Sequence, residues 1–216
     1  MTRQRYRIRF SKQGDLRWIS HRDLLRTLER LFRRADLPLA MTTGFHPRPR
    51  MSFPSALAVG VAALDEVMEL ELAEAPDPAE LLQRLQQHTV PGLEFHAVEA
   101  LAPHTPKGRV VRVTYECPVP PQRQTEIAGA IQRLLGEATH WVARPRGRQP
   151  VDVRRHLQRL ELSGDRLLLE MTVTPDAPPR PRELLAALGL DGPDPEQDQD
   201  FVLTRTTVEL ATTERS

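Results

Sequence analysis

The chain is short of the residues that metal, redox and secretory chemistry rely on. It has one cysteine, Cys117, in 216 residues. One cysteine closes no internal disulfide and by itself builds neither a zinc site nor an iron–sulfur cluster. Its expected place is that of a small buried hydrophobe on a strand, and a reducing, cytoplasmic home fits. Seven histidines (His21, His46, His88, His96, His104, His140 and His156) show no metal-ligand spacing with Cys117 or with carboxylates, so no metal is expected. Long hydrophobic runs are missing too. The longest uncharged apolar stretch, residues 56–64, is far too short to span a bilayer. The basic N-terminus is followed by no apolar core, so no signal peptide and no membrane association are expected. Aromatics make up 5%. The two tryptophans, Trp18 and Trp141, are singletons, for which core or interface anchoring is the default. No Gly-rich phosphate loop, no Gly-x-Ser-x-Gly and no paired-carboxylate signature occurs.

Positive charge is present, and it is segregated. Residues 1–55 hold thirteen Lys/Arg (Arg3, Arg5, Arg7, Arg9, Lys12, Arg17, Arg22, Arg26, Arg30, Arg33, Arg34, Arg48, Arg50) and four acids (Asp15, Asp23, Glu29, Asp36), a local net of 13 − 4 = +9 in a chain whose total is +1. Such segregation points to a polyanionic partner, with nucleic acid the natural candidate. A second basic stretch comprises Arg144, Arg146, Arg148, Arg154, Arg155 and Arg159. Acid gathers at residues 65–80 and 191–200.

The 216 residues suffice for one large or two small domains, and 39% hydrophobic with 27% charged residues describes an ordinary folded protein. Residues 5–10 alternate as a half-buried strand does. Ser20 is an expected N-cap with Asp23 at the third helical position. The helix that follows carries Leu24, Leu25, Leu28, Leu31 and Phe32 at helical spacing to about Asp36, and Pro38 stops it. Residues 41–54 form a Gly/Pro-punctuated loop. Strands are expected at 56–61 and 66–72, then a helix opened by Pro78 and ended by Pro91-Gly92, then a strand at 93–101. The second half gives a strand at 110–119, with Val111, Val113, Tyr115 and Cys117 on one face, and a helix at 126–135. A hairpin of 151–162 with 166–173 turns at Ser163-Gly164-Asp165. A helix opened by Pro181 closes at Gly189, and a strand at 201–210 follows. Each half reads β-α-β-β-α-β. The expected fold class is α+β: two tandem ferredoxin-like domains with antiparallel sheets, 1–102 and 109–216.

The run Phe10-Ser11-Lys12-Gln13-Gly14-Asp15-Leu16-Arg17-Trp18-Ile19-Ser20-His21-Arg22-Asp23-Leu24 stands out. With it go Arg30, Arg33, Arg34-Ala35 and Gly44-Phe45-His46-Pro47-Arg48-Pro49. Glu66, the Leu93 region and Val151-Asp152-Val153-Arg154 complete the pattern. Together these resemble the radical SAM-linked protein family, also described as a domain of unknown function (DUF2344). The resemblance covers most of the chain, and its specificity lies in the first 60 residues. His46 stands where the family more usually has a small polar or Asn-type residue. The resemblance implies a context, not an activity: a radical SAM partner enzyme, and RNA or ribosome metabolism. This chain lacks the three clustered cysteines of a radical SAM core. It is therefore expected to be an accessory protein with no cofactor of its own, and the partner carries the iron–sulfur cluster and S-adenosylmethionine.

The candidate site residues fall in three places. Arg17, His21, Arg22, Arg26, Arg30, Arg33 and Arg34 lie on or beside the first helix, most of the arginines at spacings of three and four, and guanidinium suits bidentate phosphate contact. Phe45, His46, Arg48 and Arg50 lie in a loop that is stiff, basic and aromatic, which fits either stacking of Phe45 or Phe53 on a base or a structural crossover whose Phe, Phe53 before Phe45, plugs the core. Arg154 and Arg155 lie in the second half, on a strand. The helix dipole disfavours a cation at its N-terminus, which makes His21 a candidate general base toward an RNA 2′-hydroxyl. The favoured reading is a helix-cap neighbour that contacts the adjoining loop, and no catalytic residue is assigned. The expected function is therefore a noncatalytic, RNA-binding or RNA-presenting subunit of a radical SAM enzyme that acts on tRNA or ribosomal RNA. A metal-independent endoribonuclease using His21 and a protein-only scaffold for the radical SAM partner are the alternatives.

Overall fold

The structure, a computed structural model, describes residues 3–144, 148–174, 178–190 and 202–211. It is a mixed α+β protein with a large, mostly antiparallel sheet and, among the described residues, four α-helices. The chain divides into two compact units, Met1–Val110 with Leu210–Ser216, and Val111–Glu209.

The first unit runs β1 (Gln4–Lys12), α1 (His21–Arg34), β2 (Met51–Ser52), β3 (Ala62–Leu72), α2 (Pro78–Gln87) and β4 (Leu93–Ala100). Its strands lie side by side in the order β4-β1-β3-β2, each neighbouring pair antiparallel. The period-2 pattern of β1 explains the layering. Tyr6, Ile8 and Phe10 are buried with Met68, Leu70 and Leu72 of β3, under Leu24, Leu28, Leu31 and Phe32 of α1 and Leu81 and Leu85 of α2. The alternate residues, Arg5, Arg7 and Arg9, face the other side.

That other side is an ion-pair ladder. Arg7 faces Glu69 in register and pairs with it at 3.2 Å, and with Glu99 at 3.7 Å. Arg5 reaches Glu69 at 3.8 Å, Arg3 reaches Glu71 at 3.6 Å, and Arg9 pairs with Asp65. Glu69 is 2% exposed and also accepts the Gly108 backbone N–H at 3.0 Å. The arginines of β1 are thus held by acids more than fifty residues away in sequence, and the local charge of the first third overstates what faces solvent.

Two expected strands are corrected. Residues 56–61 are not a strand, and Met51–Ser52 takes the place beside β3, pairing Met51 with Leu70. An unbroken apolar run carries no period to mark it as strand. Here residues 58–61 form a turn, and Gly60 N–H donates to Arg17 O at 2.8 Å. In the second unit, the strand expected over 151–162 is broken. The carboxylate of Asp152 accepts the N–H groups of His140 at 2.9 Å and Arg154 at 3.1 Å. This side-chain turn competes with the ladder and sets residues Arg154–His156 as one turn of 3-10 helix. Arg154 and Arg155 therefore sit on a turn, not a strand.

The second unit comprises β5 (Val110–Pro118), α3 (Gln124–Gly136), β6 (Trp141–Val142), β7 (Val151–Asp152), β8 (Leu157–Ser163), β9 (Arg166–Thr172), α4 (Pro181–Ala187) and β10 (Thr204–Leu210). Four of its strands lie in the order β10-β5-β9-β8, and β6 pairs with β7 as a separate two-stranded ribbon. Val113, Tyr115 and Cys117 are buried on one face of β5, while Val111 is only half-buried. The β8–β9 turn falls at Gly164, with φ +60°. Burial pushes the Cys117 thiol up to about 12, so it stays protonated and unreactive. The expected acidic stretch 191–200 and Arg146 lie outside the described residues. Among the described residues, no helix is long and apolar enough to cross a membrane.

His156 is 1% exposed, its Nδ1 3.3 Å from Thr172 O. Burial, aided by the Arg155 and Arg144 charges, pulls its pKa below the ordinary value. The unfolded chain takes up this proton near pH 6.5 and the folded chain only at lower pH. This contribution to stability is full above about 6.5 and falls as pH drops toward the folded pKa. Urea midpoints of the wild type should fall between about pH 7 and 5, and His156→Gln should flatten that fall. Parallel curves would remove His156 as its source.

Candidate nucleic-acid interface

α1 begins where a side chain can satisfy its first N–H groups. Ser20 Oγ accepts the Asp23 N–H at 3.2 Å and donates to Asp23 Oδ2 at 2.6 Å. That hydrogen bond, with the Arg26 guanidinium beside it, holds the Asp23 carboxyl below the usual carboxylate range. The helix ends before Pro38, in a Schellman motif. Asp36 N–H donates to Arg33 O and Leu37 N–H to Phe32 O, both at 3.1 Å, with Asp36 at φ +50°. Arg84 of α2 caps the end, donating to Ala35 O at 2.7 Å and Asp36 O at 2.5 Å. Both termini of the basic helix are therefore fixed by named groups.

Its apolar stripe of Leu24, Leu28, Leu31 and Phe32 points into the core. At 100° per residue, Arg22, Arg33, Arg26, Arg30 and Arg34 then span roughly 120° on the opposite side, and all five are exposed. Their ionic partners are surface groups: Arg26 with Asp23 at 3.2 Å, Arg33 with Glu29 at 2.7 Å. Exposed pairs of this kind contribute about 0–1 kcal/mol, so a phosphate can displace them. Arg30 donates weakly to Thr27 Oγ1 at 3.4 Å, and Arg34 to His88 O at 2.7 Å. Thr27, Arg30, Arg33, Arg34 and Val90 line an open groove of about 430 Å³. Three guanidiniums and a hydroxyl around one concavity are donors of the kind that suit anionic oxygens. Thr27 and Val90 were not among the residues expected from sequence. Thr27 carries a local signal, three positions before Arg30, whereas Val90 arrives from the turn before β4 with no such signal.

The residues flanking α1 are more constrained. Arg17 is half-buried in a 3-10 turn (Gly14–Trp18), its guanidinium 4.8 Å from the Trp18 ring. The buried Lys12 directs Nζ toward Arg17 O at 3.4 Å and Ile19 O at 3.5 Å, which ties this turn to β1. His21, the first helical residue, stands edge-on to Phe53 with ring centroids 5.0 Å apart, and Phe53 is edge-on to Phe10 at 6.3 Å. Its ring is thus anchored to the aromatic margin of the core.

The expected loop is a braced arm. Thr42 N–H donates to Arg48 O at 2.8 Å, Arg48 N–H to Thr42 Oγ1 at 3.0 Å, and Arg50 N–H to Ala40 O at 2.8 Å. Arg50 Nε reaches Met41 O at 3.2 Å, and its other end lies 3.9 Å from Glu71. Arg50 is therefore a brace at the base, not a free cation. Phe45, His46, Pro47 and Arg48 at the tip are exposed.

In the second unit, Arg155 is exposed and donates to His156 Nε2 at 3.1 Å, while Arg154 is half-buried. Arg144 of the same basic stretch is engaged bidentately by Glu183, both bonds 2.9 Å, and Arg159 by Glu161 at 2.6 Å. Arg144 and Arg159 of the second stretch are thus ion-paired within their unit. Among the described residues, no group of three or more His, Cys, Asp or Glu is placed to hold a metal ion.

A family model described as "Uncharacterized protein conserved in bacteria (DUF2344)" matches residues 5–180. No curated protein matches the chain.

Proposed function

The chain belongs to the DUF2344 family of bacterial proteins, and on that premise we propose that it is a noncatalytic RNA-binding protein that holds RNA for a partner radical SAM enzyme. The observation that carries the RNA half of this reading is the outer face of α1. Five exposed arginines lie on one face, and three of them line a groove with Thr27. Phosphate contacts supply most of a nonspecific nucleic-acid affinity, and arginine forks fit phosphate oxygens. The radical SAM half rests on the family resemblance of the first 60 residues; the partner supplies the iron–sulfur cluster and the S-adenosylmethionine chemistry. The strand orders β4-β1-β3-β2 and β10-β5-β9-β8 support reading each unit as a ferredoxin-like module.

The packing of His21 against Phe53 favours a positioning role over general-base chemistry in this reading. Filter retention of total tRNA and ribosomal RNA across a salt series, with EDTA present and RNA integrity checked on a gel, tests it. Salt-dependent retention of intact RNA is the expected result. Cleaved RNA would transfer the function to the endoribonuclease alternative. No retention at low salt would leave the protein-only scaffold.

A further inference from the structure

The tip of the 41–50 arm carries the most exposed large hydrophobic residue described in the chain. Phe45 is 102% exposed, more than in an extended reference chain. An aromatic ring fully in water has a large apolar face with nothing against it. The arm that bears it is held in shape. Its two sides are bridged at Met41 and Pro49 and by the hydrogen bonds between Thr42 and Arg48. Pro47 and Pro49 restrict the backbone further. Gly44, with φ +126° and open space around it, makes the turn that precedes Phe45. Ordering entropy is therefore largely settled before anything binds.

The neighbours of Phe45 decide the kind of ligand. Thr42, Thr43, His46 and Arg48 are exposed polar or basic residues, and Phe45 is the one large hydrophobic among them. The core of a protein–protein interface needs a contiguous apolar patch, and the tip does not provide one. A single ring with a cation three residues away fits one nucleobase and its phosphate. Inside a duplex both faces of each base are already stacked, so away from its ends the ring has access only to unpaired bases.

We propose that the 41–50 arm is a base-stacking device in which Phe45 selects unpaired nucleotides, so that the RNA held by this protein is single-stranded, looped or frayed where the arm meets it. This deepens the RNA-binding reading and rests on it. The test compares a mixed-sequence oligoribonucleotide with the same strand annealed into a blunt duplex, using the full chain. Phe45→Ala should weaken single-strand binding roughly tenfold, within the range of one lost stacked base, and leave duplex binding unchanged. Phe45→Tyr should restore it. The side chain is in solvent, so neither substitution endangers folding. Equal loss on both probes, or no loss, would overturn the stacking arm while RNA binding stood. Wild-type protein that binds neither probe would overturn the RNA reading and the arm with it. Loss of a co-purifying protein in Phe45→Ala with RNA affinity intact would also overturn the proposal, by giving the arm a protein ligand.

Discussion

The double substitution Arg30→Ala with Arg33→Ala is expected to weaken RNA binding about 30-fold, taking about 1 kcal/mol for each lost contact. The slope of log K against log salt should shrink by about 1.4, at about 0.7 per phosphate contact on a single strand. Both side chains are exposed and line the groove with Thr27. The ion pair that Arg33 gives up, to Glu29, is a surface one, so the fold loses little. Arg34 is left in place because its guanidinium also holds the His88 carbonyl. Arg3→Ala is the informative control. A count of charges ranks Arg3 with Arg30, but Arg3 reaches Glu71 on the face of the sheet opposite α1. Its replacement should leave the slope unchanged. Binding curves of the double variant that retain the wild-type slope would remove α1 from the interface.

The largest effect on stability is expected at Gly92, where alanine should destabilise the first unit by about 3 kcal/mol. Gly92 has φ +82°, and a Cβ there would lie 2.5 Å from the backbone oxygen of Gln13. Neither the backbone strain nor the overlap is relieved by a rotamer change. The same contact carries a hydrogen bond, Gln13 N–H to Gly92 O at 2.8 Å, which pins the start of the turn leading into α1. Gly44→Ala separates the two causes. It has φ +126° but open space, so only the strain of about 1–3 kcal/mol remains. Urea unfolding followed by Trp18 fluorescence reports on this unit, in a background where the exposed Trp141 is replaced by Phe. A Gly92→Ala midpoint equal to that of wild type would contradict the packing described at that turn.

What was legible in the sequence was local. The cap at Ser20, the apolar spacing of Leu24, Leu28, Leu31 and Phe32, the turn at Gly164 and the buried face through Cys117 all depend on neighbours within a few positions, and each appears in the fold. The illegible part was long-range. Nothing near Arg7 announces Glu69, so the arginines of β1 read as free charge until the strands pair. The unbroken apolar run at 56–61 lacks a period, and the brief Met51–Ser52 strand is too short to show one. Asp152 broke the next strand through a side-chain turn onto the Arg154 N–H, and the same carboxylate is held by the His140 N–H, twelve residues back. At the candidate site, the arginine face of α1 followed from spacing alone. The brace at Arg50 and the contribution of Val90 follow from tertiary contacts.

Photo-crosslinking with peptide-level mass spectrometry shows whether RNA lies against α1 and the arm at Phe45. Full-length protein irradiated with bound single-stranded RNA should yield nucleotide adducts on peptides containing Phe45 and on the α1 peptides around Arg30 and Arg33. Adducts confined to the second unit, or none on either of these segments at saturating RNA, would mean that RNA does not lie against α1 and the arm.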